Sequence, residues 1–259
     1  MKTIFLDVAG FIIKINFHQA EGKYFREELI KKIDSIFKGF ITQKKSPIDF
    51  TIDFIEIKKT EIILKNHKKA FFYCYFYRGG KKISLFYQIS LFQFQVVFKN
   101  ILHQLLCQKG GFMLHASAVK IDDRALVFVG PPGAGKSTAM RFLSARYQPL
   151  ADDSIIIKKE KNDFYLYQTP FIETNMIDKN SNRYQIKQIL FLKKDIYFKI
   201  KRLKKEKAVE KLLRQVLTEK ESFKTQVKDV ARFINMSNFG IMSFPKDQRG
   251  LIEFIEKMK

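Results

Sequence analysis

The apolar positions change period several times along the chain, and each change marks an element. From Phe25 to Phe40, residues Leu29, Ile33, Ile36, Phe37 and Phe40 recur at three- and four-residue spacing, which predicts a helix with one buried stripe. The stretch "IDFTIDFIEI", Ile48 to Ile57, alternates in the manner of a half-buried strand. In "AFFYCYFYRGGKKISLFYQI" two aromatic and β-branched runs flank Arg78-Gly79-Gly80-Lys81, and a Gly-Gly pair supplies the positive φ of a tight hairpin turn. Many of these aromatics belong in a core or an interface. A helix from about Leu91 to Gln108 follows, closed by Gly110 and Gly111.

Beyond that helix, "FMLHASAVKI" and "ALVFVG" predict two strands joined through Asp122-Asp123-Arg124, the second feeding straight into a glycine-rich turn and a further helix. "SIIIKK" and "FYLYQT" predict another hairpin, with strands near Gln188 to Leu192 and Ile196 to Ile200. A helix from Lys204 to Leu217 would turn Ala208, Val209, Leu212, Leu213, Val216 and Leu217 inward and its lysines outward. A second helix over Ser222 to Asn235, a strand around Gly240 to Phe244 and a terminal helix from about Gln248 complete the chain. The pattern predicts an α/β protein with an N-terminal β-rich α+β accessory domain over 1–108 and a second domain over 109–259, joined at the helix ending near Gln108. There is no internal repeat or low-complexity linker.

Composition narrows the class. A chain of 259 residues that is 46% hydrophobic can bury a sizeable core. Two cysteines, Cys74 and Cys107, are too few for a disulfide framework or a metal cluster, so they are expected as core thiols and the compartment as cytoplasmic. "MKTIFLDVAG" lacks a secretory apolar segment, and the longest uncharged run, Ile83 to Phe98, falls short of the roughly 18 apolar residues that span a bilayer. The formal net charge is +22, concentrated between Lys193 and Lys220, where eleven basic residues meet four acidic ones. A lysine-rich solvated surface and a contact face for nucleic acid, another polyanion or an anionic membrane both fit this excess.

"FVGPPGAGKSTAMRFL", Phe128 to Leu143, carries the chemistry. Gly130 and Gly135-Lys136-Ser137 stand at the spacing of a nucleotide-binding P-loop, with Gly133, Ala134 and Thr138 completing the turn. Glycines allow successive backbone N–H groups to converge on a phosphate, and the N-terminus of the following helix adds partial positive charge. Lys136 can reach β- and γ-phosphate oxygens, and the Ser137 hydroxyl suits Mg²⁺. The motif points to a nucleotide and Mg²⁺ without naming a reaction, since GTPases, ATPases and kinases share it.

His115 in "LHASAV" precedes the loop, and Asp152 and Asp153 in "LADDS" follow its helix. Taken singly, a strand histidine can be a packed or surface residue and an Asp pair a turn cap; the functional and structural readings stand level. Together with the loop, these residues resemble the kinase domain of the HPr kinase/phosphorylase family, P-loop enzymes related in fold to phosphoenolpyruvate carboxykinase. The resemblance covers about Gly111 to Ile157. It implies that Lys136 binds nucleotide phosphates, Ser137 the metal, Asp153 takes the proton of an acceptor hydroxyl, Asp152 supports metal or acceptor, and His115 lies beside the transferred group. The roles within the Asp pair could be exchanged.

Thr138 stands where bifunctional members carry an acidic residue, and their arginine- and glycine-rich C-terminal loop has no counterpart, which argues against phosphorolysis. The N-terminal module also differs from theirs. The chain is more similar to stand-alone HPr-kinase-like proteins, some of which phosphorylate a serine of a ribosomally made peptide such as a lasso-peptide precursor. The resemblance therefore implies a Mg-ATP-dependent serine kinase acting on a protein or peptide, with a homo-oligomer as a further expectation. A small-molecule kinase and a nucleotide-responsive polyanion-binding protein are the rivals. Arg183 and Glu173 are secondary candidates for phosphate or metal support, each also readable as a surface loop residue.

Overall fold

The computed structural model describes residues 2–20, 23–56, 75–77, 80–172, 174–217 and 223–258. It divides into two compact units, Met1–Leu105 and Leu106–Lys259. Cys74 and Glu173 lie outside the described residues. Cys107 is half-buried, a correction to its expected place in the core, because it sits on a helix flank.

In the first unit β1 (Lys2–Val8) and β2 (Phe11–Phe17) form an antiparallel hairpin. Its turn is Ala9-Gly10 with φ of 54° and 74°, the left-handed geometry that matches strand twist in a two-residue loop. Helix α1 (Lys23–Ile36) carries the chain over to β3 (Phe50–Ile55), which lies parallel to β2. Strand β5 (Lys82–Phe86) adds parallel to β3, and β4 (Tyr75–Tyr77) pairs antiparallel at the edge, giving the order β1-β2-β3-β5-β4. Helix α2 (Leu91–Lys109) buries Phe94, Phe98, Ile101, Leu102 and Leu105, an apolar stripe at helical spacing. Phe37 meets Phe98 at 4.7 Å between ring centroids, and Phe54 meets both Phe17 at 5.2 Å and Phe94 at 5.5 Å. This aromatic cluster ties helices to sheet.

One carboxylate inside this unit makes stability depend on pH. Asp53 accepts from the Asn16 amide at 2.7 Å and pairs with Lys82 at 2.6 Å. Burial works against its charge, but the hydrogen bonds from Lys82 and Asn16 and the Lys82 charge outweigh it, holding the carboxyl below its ordinary value. A depressed carboxylate stabilises the fold above the ordinary carboxylate range, and that contribution disappears as pH falls through the lowered value. Asp53→Ala is expected to cost about 1–3 kcal/mol at neutral pH by stranding the buried Asn16 amide. The deficit should shrink on acidification in denaturant titrations, and a constant deficit down to strongly acid pH would contradict the assignment.

The second unit is built on one large sheet. Strands β6 (Gly111–Ile121) and β7 (Arg124–Val129) form a hairpin through Asp122-Asp123, at φ of 49° and 61°. Asp tolerates this left-handed region better than most residues, so the turn forms without glycine. Next come α3 (Lys136–Leu143), β8 (Gln148–Ala151), β9 (Ser154–Glu160), β10 (Asp163–Gln168), β11 (Arg183–Lys194) and β12 (Lys199–Arg202). Then follow α4 (Lys205–Leu213), β13 (Val216–Leu217), α5 (Phe223–Met236), β14 (Phe239–Phe244) and α6 (Gln248–Glu256). The sheet order is β10-β9-β6-β7-β11-β14-β12, with β8 and β13 also paired to β6. Because β10 pairs β11 as well, five of these strands close into a ring.

Strand β7 explains its own sequence. Ala125, Val127 and Val129 face a core shared with Ala208, Leu212, Val230 and Phe233 of α4 and α5. Leu126 and Phe128 face a second core with Ala139, Met140, Leu143, Leu251 and Ile255 of α3 and α6. A strand covered on both faces reads as an unbroken apolar run. Its parallel neighbour β11, flanked in turn by parallel β14, lies between the same layers.

Three further expectations are corrected. The helix foreseen to Leu217 stops at Leu213, and Val216 and Leu217 pair with Leu114 and Met113 of β6 instead. Pairing to a sheet edge there overrides the helical apolar pattern. The strand foreseen at 188–192 extends over Arg183–Lys194, since its first residues close the ring with β10, and the one at 196–200 moves to Lys199–Arg202. Ile196 and Tyr197 lie in the turn between them, 75% and 71% exposed. Among the described residues no helix is long and apolar enough to cross a membrane.

Candidate functional site

The site lies where three parallel strands end. Val129, last in β7, stands beside Phe191 of β11, and Lys194 at the end of β11 stands beside Phe244 of β14. On the other side the antiparallel β6 sets Ala116 against Val129, which brings His115 to the same edge. Open α/β sheets bind ligands outside the carboxyl ends of parallel strands, and the glycine-rich loop leaves β7 at this place. A cleft of about 400 Å³ results, lined by His115, Pro132, Gly133, Gly135, Lys136, Ser137, Thr138, Asp153 and Lys194.

The loop requires its glycines for distinct reasons. Gly133 has φ of +77° with open space where a side chain would stand, so conformation alone demands it. Gly135 has φ of +100°, and an added Cβ would come within 3.0 Å of the Phe244 ring. It is also the N-cap of α3, whose first amides have no partner inside the helix and whose dipole favours an anion. The buried Lys136 ammonium donates to the carbonyls of Gly130 at 2.9 Å and Pro131 at 3.3 Å. Burial lowers its pKa, and the charges of Asp153 and Asp152 oppose that shift.

Facing the loop, Asp152 and Asp153 form the turn between β8 and β9. Asp153 adopts φ of +80°, an uncommon conformation for a residue with a side chain. Its carbonyl accepts from the Ala116 amide at 3.2 Å and from His115 Nδ1 at 2.7 Å, and its carboxylate lies 3.2 Å from the same nitrogen. A carbonyl oxygen only accepts, which places a proton on Nδ1 and leaves Nε2 for other work. The backbone of His115 is pinned too, its amide donating to the Gln215 carbonyl at 2.8 Å. That bond arises from the segment that leaves the helix early to pair with β6.

The structure thus brings His115, Gly133, Gly135, Lys136, Ser137, Thr138 and Asp153 to one cleft. Gly130, Ala134 and Asp152 are not among its lining residues. Asp152 accepts at 2.8 Å from the hydroxyl of fully buried Ser117. Arg183 pairs with Glu160 at 2.5 Å and lies over the Tyr165 ring, away from the cleft lining. Lys194 lines the cleft without having been foreseen, since in sequence it is one of many lysines in a basic run. Its only signal is the end of a strand parallel to β7. Among the described residues no group of three His, Cys, Asp or Glu side chains could hold a metal ion. A cation that shares phosphate oxygens and takes the Ser137 hydroxyl would not need such a group, because Mg²⁺ is ordinarily held in that way.

Strand, glycine-rich turn and helix, set among parallel strands with helices on both faces, define a mixed α/β domain. The chain belongs to the family described as SynChlorMet cassette protein ScmC, which matches residues 86–235. The structure of the Hpr(Ser) kinase/phosphatase from Coxiella burnetii is similar over 56% of this chain and 92% of that chain, with 17% identity and a TM-score of 0.31. No curated protein matches the chain.

Proposed function

We propose that residues 109–259 form a Mg-ATP-dependent kinase domain that transfers the γ-phosphoryl group to a Ser or Thr hydroxyl of a protein or ribosomally made peptide, with 1–108 as an accessory domain. The observation that carries this reading is the shared cleft: a carboxylate, an imidazole with a fixed tautomer and a phosphate-binding loop with its lysine line the same space. The loop amides, the α3 N-terminus and Lys136 would hold the nucleotide phosphates, and Ser137 the cation. Bound Mg²⁺ supplies charge neutralisation at the phosphates. The bond from γ-phosphorus to its bridging oxygen breaks, a bond from the acceptor oxygen forms, and the acceptor proton passes to Asp153.

In such transfers positioning and charge do nearly all the work, and one carboxylate orients the nucleophile. With Nδ1 committed to Asp153, His115 Nε2 is the atom available to the transferred group. Asp152, held by Ser117, would fix the shape of the Asp153 turn. The Asp153 side chain is 71% exposed, which supports a large acceptor over a free amino acid needing an enclosed pocket.

Incubation with γ-labelled ATP and peptides encoded beside the protein is expected to move label onto serine or threonine, with Lys136→Ala reducing nucleotide binding and transfer together. Label released only as free phosphate would reject the transferase.

A further inference from the structure

A second hollow adjoins the phosphate cleft. It measures about 310 Å³ and is lined by Gly135, Thr138, Lys194, Asp195, Phe244 and Lys246. Gly135, Thr138 and Lys194 line both spaces, so the two lie side by side at the first turn of α3. Each of its other walls comes from the carboxyl end of a strand on the β7 side of the sheet: Asp195 follows β11, while Phe244 and Lys246 end and follow β14. The volume lies in the range, roughly 300–1,000 Å³, of sites that enclose small organic ligands.

Direction decides what belongs there. His115 and Asp153 occupy the side of the cleft formed by β6 and the β8–β9 turn, where the acceptor hydroxyl and the transferable phosphoryl group would meet. The rest of a nucleotide must then leave over Gly135 toward β11 and β14, and the hollow is the adjoining space on that side. Gly135 permits this course, because any side chain there would press against the Phe244 ring at 3.0 Å.

The chemistry of the lining agrees. Lys194 and Lys246 are exposed and make no hydrogen bond or ion pair among the described residues, so their charge is available to phosphate oxygens. Asp195 is half-buried; its Oδ1 accepts the Ile196 amide at 2.9 Å, and among the described residues Oδ2 has only Lys193, at 4.0 Å. Such an oxygen can accept from ribose hydroxyls or an exocyclic base amine. Phe244 gives the hollow an apolar wall.

We propose that this hollow is the nucleoside subsite. Lys194, at the junction, binds phosphate; Lys246 adds charge beside it; Asp195 accepts hydrogen bonds from the nucleoside, and the wall at Phe244 shelters its apolar surface. The assignment rests on the kinase reading above, in that a nucleoside triphosphate must occupy the loop.

Calorimetric titration of the full chain with Mg-ATP and with Mg-tripolyphosphate, which has the phosphates and no nucleoside, separates the two ideas. The wild type is expected to bind both, ATP more tightly. Asp195→Ala and Asp195→Asn should weaken ATP roughly tenfold, the worth of one charge-assisted hydrogen bond, and leave tripolyphosphate unchanged. Lys194→Ala should weaken both, and intact tripolyphosphate binding by the Asp195 variants shows that they are folded. Equal losses for the two ligands in those variants, no loss at all, or ATP bound no more tightly than tripolyphosphate by the wild type would overturn the nucleoside subsite. Failure of the wild type to bind either ligand would instead remove the nucleotide reading on which it stands.

Discussion

Asp153→Asn is expected to lower phosphoryl transfer by roughly 10²–10⁴-fold, the range lost when a positioned general base is removed, while ATP affinity and thermal stability stay close to wild type. The conformation makes this variant clean. Asp153 sits at φ of +80°, and Asn is among the few side-chain-bearing residues that tolerate the left-handed region, so the turn survives the exchange. Its carbonyl still accepts from His115 and Ala116, which keeps the imidazole oriented. Alanine at the same place would confuse lost chemistry with strain. Asp152→Asn provides the comparison, since that carboxylate is engaged by Ser117 and is not among the residues that line the cleft. A rate unchanged in the Asp153 variant but collapsed in the Asp152 variant would exchange the roles of the pair.

Phe233→Ala should be the most destabilising single truncation in the second unit. The ring is fully buried on α5 and meets Phe112 at 5.4 Å, Phe164 at 5.3 Å and Phe239 at 6.2 Å, all in edge-on geometry. Removing it leaves a void that three rings on β6, β10 and β14 cannot all fill, and changes of this type cost about 3–5 kcal/mol. For a unit of this size that corresponds to a fall in melting temperature of about 6–20 °C. Phe233→Leu, which retains most of the volume, should recover much of the loss. A melting temperature within 2 or 3 °C of wild type for the alanine variant, on the order of 1 kcal/mol, would mean that the core can close around the gap.

The two substitutions separate what the protein does from what holds it up. His115 and Asp153 stand on elements whose own burial is unrelated to chemistry: His115 interrupts a strand buried at Leu114 and Ala116, and Asp153 precedes the buried Ser154 to Ile157. The apolar neighbours fix the backbones. The polar residues are left facing the cleft.

Much was legible along the chain because the signals were local. The apolar run Ala125 to Val129 followed by Gly130, Gly133 and Gly135 specifies a buried strand, a turn of left-handed conformations and a helix start, each through the nearest few residues. The helix Leu91–Lys109 and its glycine stop are local as well. The sequence by itself therefore determined α1, α2 and most of the elements that follow them, the two hairpins in the second unit and the phosphate loop as candidate chemistry, but neither the β1-β2 hairpin nor the short strands β8 and β13.

Only the tertiary structure decided what depends on neighbours distant in sequence. Val216 and Leu217 fit a helical stripe, yet an open edge of β6 offers them backbone partners and fixes the amide of His115 through Gln215. Lys194 is one lysine among many until parallel pairing sets the end of β11 beside the loop, and Asp152 and Asp153 are equivalent until Ser117 takes one of them. The physical reason is common to all three: periodicity and propensity act over a few residues, whereas strand pairing and side-chain burial are settled by residues that meet only when the sheet closes.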